Sequence, residues 1–141
     1  MQMEFSVQGM DFNRAGEAAA QIKKALQLVG MHVDTVRRAV IVAYEAELNI
    51  VIHARQGRLA AYIHPDRVEI EAVDEGPGIP DISQAMREGY STAPDHIRKM
   101  GFGAGMGLPN IKKSASHMQL TSEVNVGTRL TAIINNQTSG D

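Results

Sequence analysis

Seven of the 13 glycines in this chain lie between Asp74 and Leu108, and no other stretch constrains the fold as strongly. It opens Asp74-Glu75-Gly76-Pro77-Gly78-Ile79-Pro80, directly after an apolar run. It closes Gly101-Phe102-Gly103-Ala104-Gly105-Met106-Gly107-Leu108. Residues without a side chain weaken any helix or strand that contains them. A chain that concentrates them here must bend its backbone sharply or lay it against a ligand. The segment reads as a ligand loop and a lid, about residues 81 to 107, served by the rest of the chain.

A chain of 141 residues, 43% of them hydrophobic, is long enough to bury one core, so a single domain over 1–141 is expected. The net charge of -2 carries no basic excess, which argues against direct binding to nucleic acid. With no cysteine there is neither a disulfide framework nor a thiolate zinc site, a pattern that suits the cytosol. Met1 to Phe5 lacks a charged, apolar leader, and no run reaches the ~18 apolar residues needed to span a bilayer. A soluble cytoplasmic protein without membrane contact is the expectation.

Met3, Phe5 and Val7 alternate with polar residues as in a half-buried edge strand. Asp11 can cap a helix that runs to about Val29, where Gly30 ends it. A second helix is expected from near Asp34 to about Arg55, apolar around almost its whole circumference and therefore buried. Arg58 to His64 and Arg67 to Val73 read as a hairpin joined by Pro65-Asp66, and the second strand delivers Asp74. Residues 81 to 88 read as a short helix capped by Asp81 or Ser83. Pro109 opens a helix through about His117. Gln119 to Glu123 and Leu130 to Ile134 read as an antiparallel pair of strands, and the polar tail, about 135–141, should fray. This order predicts an α+β fold: a two-layer sandwich with a mixed, largely antiparallel sheet and about three helices on one face.

Glu45, Asn49 and His53 recur at i, i+4 and i+8, so they share one stripe of the second helix. A solvated stripe is the plain reading, but the rest of that helix is too apolar to be exposed. Polar groups on a buried helix need partners, and a ligand pocket would supply them. Glu45 is then a candidate base and Asn49 a candidate metal or phosphate ligand. His53 reads as a structural histidine, and Glu47 as a surface residue. Asp74 with Gly76 and Gly78 suits a tight turn, or a carboxylate that accepts a bond from an exocyclic amine while the glycines leave room for a base. Gly101, Gly103, Gly105 and Gly107 fit neither GxGxxG nor GxxxxGK[ST]. They nonetheless lead into a helix starting Leu108-Pro109-Asn110, whose free N–H groups and positive end suit an anion.

Glu45-x-x-x-Asn49, Asp74-x-Gly76-x-Gly78 and Gly103-x-Gly105-x-Gly107-Leu108, in this order, resemble the GHKL (Bergerat-fold) ATPases. Tyr44-Glu45 through Ala54 and Glu88-Gly89-Tyr90-Ser91-Thr92 resemble the small bacterial anti-sigma factors and switch serine/threonine kinases. The resemblance implies ATP and Mg²⁺ as cofactors. Asn49 would hold the metal, Asp74 the adenine amine, with Gly76 and Gly78 flanking the base. Gly103, Gly105 and Gly107, leading to Leu108, would wrap the phosphates, Thr128 would support adenine, and Glu45 would be the general base. Arg98 and Lys99 read as surface charge. Glu47 and the insert Asp95 to Lys99 depart from the usual anti-sigma pattern. The implied reaction is transfer of the ATP γ-phosphoryl group to a Ser/Thr of a STAS-type antagonist. The alternatives are a nucleotide-gated regulator that sequesters a sigma factor without kinase activity, and a histidine-kinase-like catalytic domain. Homodimers are common in such a family.

Overall fold

The computed structural model of the protein describes residues 1–87 and 107–137. The element order is β1 (Gln2–Gln8), α1 (Glu17–Leu28), α2 (Val33–His53), β2 (Gln56–His64), β3 (Arg67–Glu75), α3 (Ile82–Ala85), α4 (Gly107–Ser114), β4 (His117–Glu123) and β5 (Gly127–Asn135). The strands form one sheet in the order β1-β2-β3-β5-β4. All four pairings are antiparallel, so the mixed sheet expected from the sequence is a wholly antiparallel one among the described residues. β1 is an edge, as its length suggested.

The period of two along each strand sorts the side chains onto two faces. Leu59, Ala61, Ile63, Val68, Ile70, Ala72, Leu130, Ala132 and Ile134 point to one face and are buried in the core. The odd-numbered neighbours on β3 and β5 point the other way. There Glu71 accepts from Arg58 at 3.2 Å and from Arg129 at 2.8 Å, and Glu4 lies 3.6 Å from Arg58. That face is polar and uncovered by the described helices.

α2 lies across the covered face and contacts β1, β2, β3 and β5, with α1 on one flank and α4 on the other. Ala39, Ala43 and Ala46 are almost fully buried, and their small side chains let the helix axis approach the sheet. Ile50 and Val51 fill the remaining space. Burying side chains of this size contributes about 1.5–3 kcal/mol each. The prediction of a buried central helix is met, with its end at His53 instead of Arg55. Arg55 instead donates its N–H to the Glu75 carbonyl at 2.9 Å and joins the sheet.

Two further helix ends and one side chain differ from the sequence reading, and α4 opens at Gly107, before Pro109. α1 starts at Glu17, not at Asp11, because residues 9–16 form turns over the end of α2: Gly9 N–H bonds Arg55 O at 2.8 Å and Met10 N–H bonds Val51 O at 2.7 Å. Gly16 precedes the helix at φ 97° and has no side chain to cap it. Glu47 supplies the cap from α2, accepting from Ala18 N–H at 3.2 Å and Ala19 N–H at 3.1 Å. It is 3% exposed, so its expected place on the surface is wrong: the positive, unsatisfied start of α1 draws the carboxylate inward. α4 ends at Ser114, before His117, because Arg38 Nε donates to the Ser114 carbonyl at 2.8 Å and Ser116 N–H pairs with Ile133 O at 2.7 Å.

Asp81 caps the short α3 through Gln84 N–H at 3.1 Å, which settles the choice between Asp81 and Ser83. The first residues of the expected frayed tail are held. Asn136 accepts from His32 N–H at 3.2 Å and donates to Pro65 O at 3.0 Å, and Gln137 N–H reaches Thr35 Oγ1 at 3.0 Å. Residues 138–141 lie outside the described residues.

Removing the Glu47 carboxylate would leave two buried helix-start N–H groups unpaired. Glu47→Ala is expected to lower unfolding free energy in urea by about 2–4 kcal/mol. Glu47→Gln, which keeps one acceptor oxygen, should cost about half as much.

Candidate functional site

Glu45 and Asn49 occupy successive turns of α2 on the flank that faces α4, and both are half-buried. α4 begins at Gly107, and a Cβ placed there would stand 3.1 Å from Asn49 Oδ1 and 3.2 Å from Glu45 Oε2. The absent side chain is what lets the start of α4 lie against both polar groups. Two of the three sequence motifs thus meet at one point. The same point is the positive end of a helix, where free N–H groups favour an anion.

Burial pushes the Glu45 carboxyl above the ordinary carboxylate range, and a hydrogen bond from the Asn110 side chain pulls partly the other way. A carboxyl held in this way is a better proton acceptor than an exposed one. Asn110 carried no motif and was missed by the sequence reading. Burial likewise lowers the His53 imidazole below its usual value, so His53 favours the neutral form, in keeping with a structural role. Leu108 packs its side chain against the core, so only its backbone faces the helix start.

Asp74 continues the helix-facing series of Ile70 and Ala72 at the end of β3. Its Oδ1 accepts from Thr128 N–H at 3.1 Å. Burial raises its carboxyl above the usual range, and the Thr128 bond opposes that. Thr128 Oγ1 lies 2.9 Å from Ser122 Oγ, and Ser122 also accepts from Ile79 N–H at 2.7 Å and donates to Gly127 O at 3.1 Å. Ser122 therefore braces Thr128 behind Asp74. Its place opposite Thr128 in the β4–β5 register was not legible from any motif.

The glycines after Asp74 are required by the protein backbone itself. Gly76 is buried, and a Cβ there would stand 3.1 Å from Ala54 Cα and 3.4 Å from His53 O. Gly78 has φ +73°, and a Cβ there would run into the Glu123 carbonyl oxygen. Gly127 packs directly on the Asp74 carbonyl. The loop after β3 is thus wedged between the end of α2 and the β4–β5 hairpin. Because His53 is one turn beyond Asn49, about 6 Å along the helix, the Asp74 cluster and the Asn49 cluster lie in succession along α2. Gly103, Gly105, Arg98 and Lys99 lie outside the described residues.

A separate hollow of about 390 Å³ borders Asp74 and Thr128 but also Val73, Thr121 and Arg129. Those last three belong to the uncovered sheet face, so this hollow is not the space between α2 and α4. Among the described residues no three His, Cys, Asp or Glu side chains cluster as metal ligands. A divalent ion beside Asn49 would therefore depend on oxygens from a bound ligand and water, a donor set that suits Mg²⁺.

Residues 34–138 match the family described as histidine kinase-, DNA gyrase B- and HSP90-like ATPases. The chain belongs to that family. It is 36% identical over 105 residues to the serine/threonine-protein kinase RsbT of Bacillus subtilis, covering 70% of this chain and 73% of that protein. An anti-sigma F factor of Clostridium acetobutylicum is 27% identical over 135 residues, covering 92% of this chain and 89% of that protein. Among solved structures, the SiaB–SiaC complex from Pseudomonas aeruginosa has a chain of the same fold at TM-score 0.65 and 13% identity, covering 94% of this chain and 88% of that one. The RsbU and RsbW domains of Rv1364c from Mycobacterium tuberculosis give TM-score 0.64 at 16% identity, covering 98% of this chain but only 33% of the larger one. The GHKL resemblance and the two-layer fold read from the sequence are both supported, and an ATPase-family domain binds ATP. No helix among the described residues is long and apolar enough to cross a membrane.

Gly107→Ala should weaken ADP binding by at least about tenfold in calorimetry, because the new methyl group crowds Glu45 and Asn49. Its thermal midpoint should stay level or rise, since alanine favours a helix over glycine by about 1 kcal/mol. The raised Glu45 carboxyl also makes a signed prediction. A carboxyl whose folded pKa exceeds its unfolded one loses folding stability as pH rises through that window, from about pH 4 upward. Glu45→Gln removes this loss, so in urea titrations its stability relative to wild type should increase between about pH 4 and pH 7.

Proposed function

We propose that this protein is an ATP-dependent serine/threonine protein kinase and anti-sigma regulator of the partner-switching kind, acting in the cytoplasm. The observation that carries the reading is the convergence of Glu45 and Asn49 on Gly107 at the start of α4. That convergence supports a reading in which Glu45 serves as proton acceptor and Asn49 as metal ligand beside an anion-favouring helix end. In this reading Asp74, with Thr128 behind it, receives the adenine amine. Gly76 and Gly78 flank the base. Gly103, Gly105, Gly107 and the Leu108 backbone enclose the phosphates.

Asn49 would hold Mg²⁺, and the ion would supply charge neutralisation for the phosphates when bound. Glu45 accepts the proton of the partner's hydroxyl as that oxygen bonds to the γ-phosphorus. The bond from the γ-phosphorus to the bridging oxygen breaks, and ADP leaves. Such transfer asks the protein mainly for positioning and charge neutralisation, and the raised Glu45 carboxyl suits the acceptor role. The acceptor we propose is a serine or threonine of a STAS-type antagonist. A second copy of the chain is a further partner.

The near full-length similarity to an anti-sigma F factor favours a second reading, in which the nucleotide gates sequestration of a sigma factor and no phosphate is transferred. Incubation with labelled ATP and a STAS-domain partner from the same genome separates the two. Wild type should label the partner, and Glu45→Ala should reduce labelling by about 100-fold or more while still binding ADP. Complex formation without label in the wild type would support the second reading instead. Asp74→Asn should weaken ATP binding by about tenfold or more in calorimetry. Equal affinity would remove Asp74 from the adenine contact.

A further inference from the structure

Ser122 on β4 stands opposite Thr128 in the β4–β5 register. Both alternate onto the helix-facing side of the sheet, as Asp74 does, and all three are half-buried. A hydroxyl has one hydrogen to give and two lone pairs to receive with. Ser122 uses all three. Its Oγ accepts from Ile79 N–H at 2.7 Å, and its hydrogen points to the Gly127 carbonyl at 3.1 Å, an oxygen that can only accept. The remaining contact, to Thr128 Oγ1 at 2.9 Å, must therefore take its hydrogen from Thr128.

This arrangement fixes more than the position of Thr128. Having given its one hydrogen to Ser122, the Thr128 hydroxyl keeps only lone pairs for a ligand. Asp74, when ionised, likewise only accepts, and its Oδ1 already takes Thr128 N–H at 3.1 Å. Nearby backbone donors are engaged as well: Gly76 N–H bonds Val126 O at 3.1 Å, and Ile79 N–H bonds Ser122. Asp74 and Thr128 thus offer acceptors to a ligand and no side-chain donor. A group that brings N–H hydrogens to them gains hydrogen bonds. A carbonyl oxygen would face lone pairs instead, and a buried polar group left without a partner is costly.

We propose that Ser122 is a specificity-determining residue: by holding the Thr128 hydroxyl as an acceptor, it selects purines with an amino group at C6 over those with a carbonyl there. The inference rests on the reading that Asp74 receives the base, and it adds a second discriminator that acts through Thr128. Without Ser122 the Thr128 hydroxyl is free to turn and donate to a C6 carbonyl. The pocket then loses part of its preference, because a site rejects the wrong polar group only as long as its own polar groups cannot adapt to it.

Calorimetry of the full chain with ADP and with inosine diphosphate tests it, since the two differ only in the group at C6 and the N1 proton that goes with it. Wild type should favour ADP by about 50-fold or more. Ser122→Ala should narrow that ratio by about fivefold or more, and Ser122→Thr, which keeps the hydroxyl, should hold it within about twofold. Thr128→Val removes the hydroxyl itself and should narrow the ratio too; adding Ser122→Ala to it should change the ratio no further. Thermal midpoints report whether each variant is folded, and Ser122→Cys, whose sulfur accepts only weakly, gives the same readout should the alanine variant not fold. A residue that merely braced the loop would lower both affinities together and leave the ratio unchanged, which overturns the proposal. An undiminished effect of Ser122→Ala in the Thr128→Val background also overturns it. Equal wild-type affinities would remove the base from Asp74 and this inference with it, whereas a wild-type preference that Ser122→Ala leaves intact overturns the Ser122 inference alone.

Discussion

The structure depends on a single constraint: α2 is buried against the sheet, yet it carries polar residues along two of its flanks. A buried polar group that finds no partner costs free energy on the scale of a lost hydrogen bond or more. α2 meets that cost in two different ways. On one flank Glu47 binds the uncapped start of α1, so the polar group becomes a structural joint between helices. On the other flank Glu45 and Asn49 face the start of α4 across Gly107. There the polar groups look onto a helix end that itself favours an anion.

The same partial burial shifts two carboxyl groups of this region. Glu45 and Asp74 are both pushed above the ordinary carboxylate range by desolvation, and each is restrained by one hydrogen bond, from the Asn110 side chain and the Thr128 backbone respectively. Partial burial of two carboxyl groups costs some folding stability at neutral pH. The Ser122–Thr128 contact and the glycine contacts at Gly76, Gly78 and Gly127 then fix the loop after β3 between α2 and the β4–β5 hairpin. These backbone contacts explain Gly76 and Gly78, which in the sequence suited either a tight turn or room for a base.

Much of the fold was legible because it follows local rules. Alternation revealed the strands, Pro65-Asp66 marked the hairpin between β2 and β3, and the all-round apolar pattern identified α2 as buried. The errors fall where a distant group decides. α1 starts at Glu17 because residues 9–16 are tied to the end of α2, and α4 stops at Ser114 because Arg38 and the Ile133 carbonyl claim its last turn and the residues after it. Asn136 and Gln137 are held by His32, Pro65 and Thr35, all remote in sequence.

The sequence by itself determined the periodicities, the buried character of α2, the spacing of Glu45 and Asn49 on one helical stripe, and the glycine-marked loop after Asp74. Each of these is set within a few residues along the chain. Only the tertiary structure decided that Glu47 is a buried cap, that Asn110 and Ser122 support Glu45 and Thr128, and that Gly107 is the meeting point of two motifs. Those outcomes depend on which orphaned backbone groups and which close approaches the packing of separate elements creates, and no local pattern encodes them.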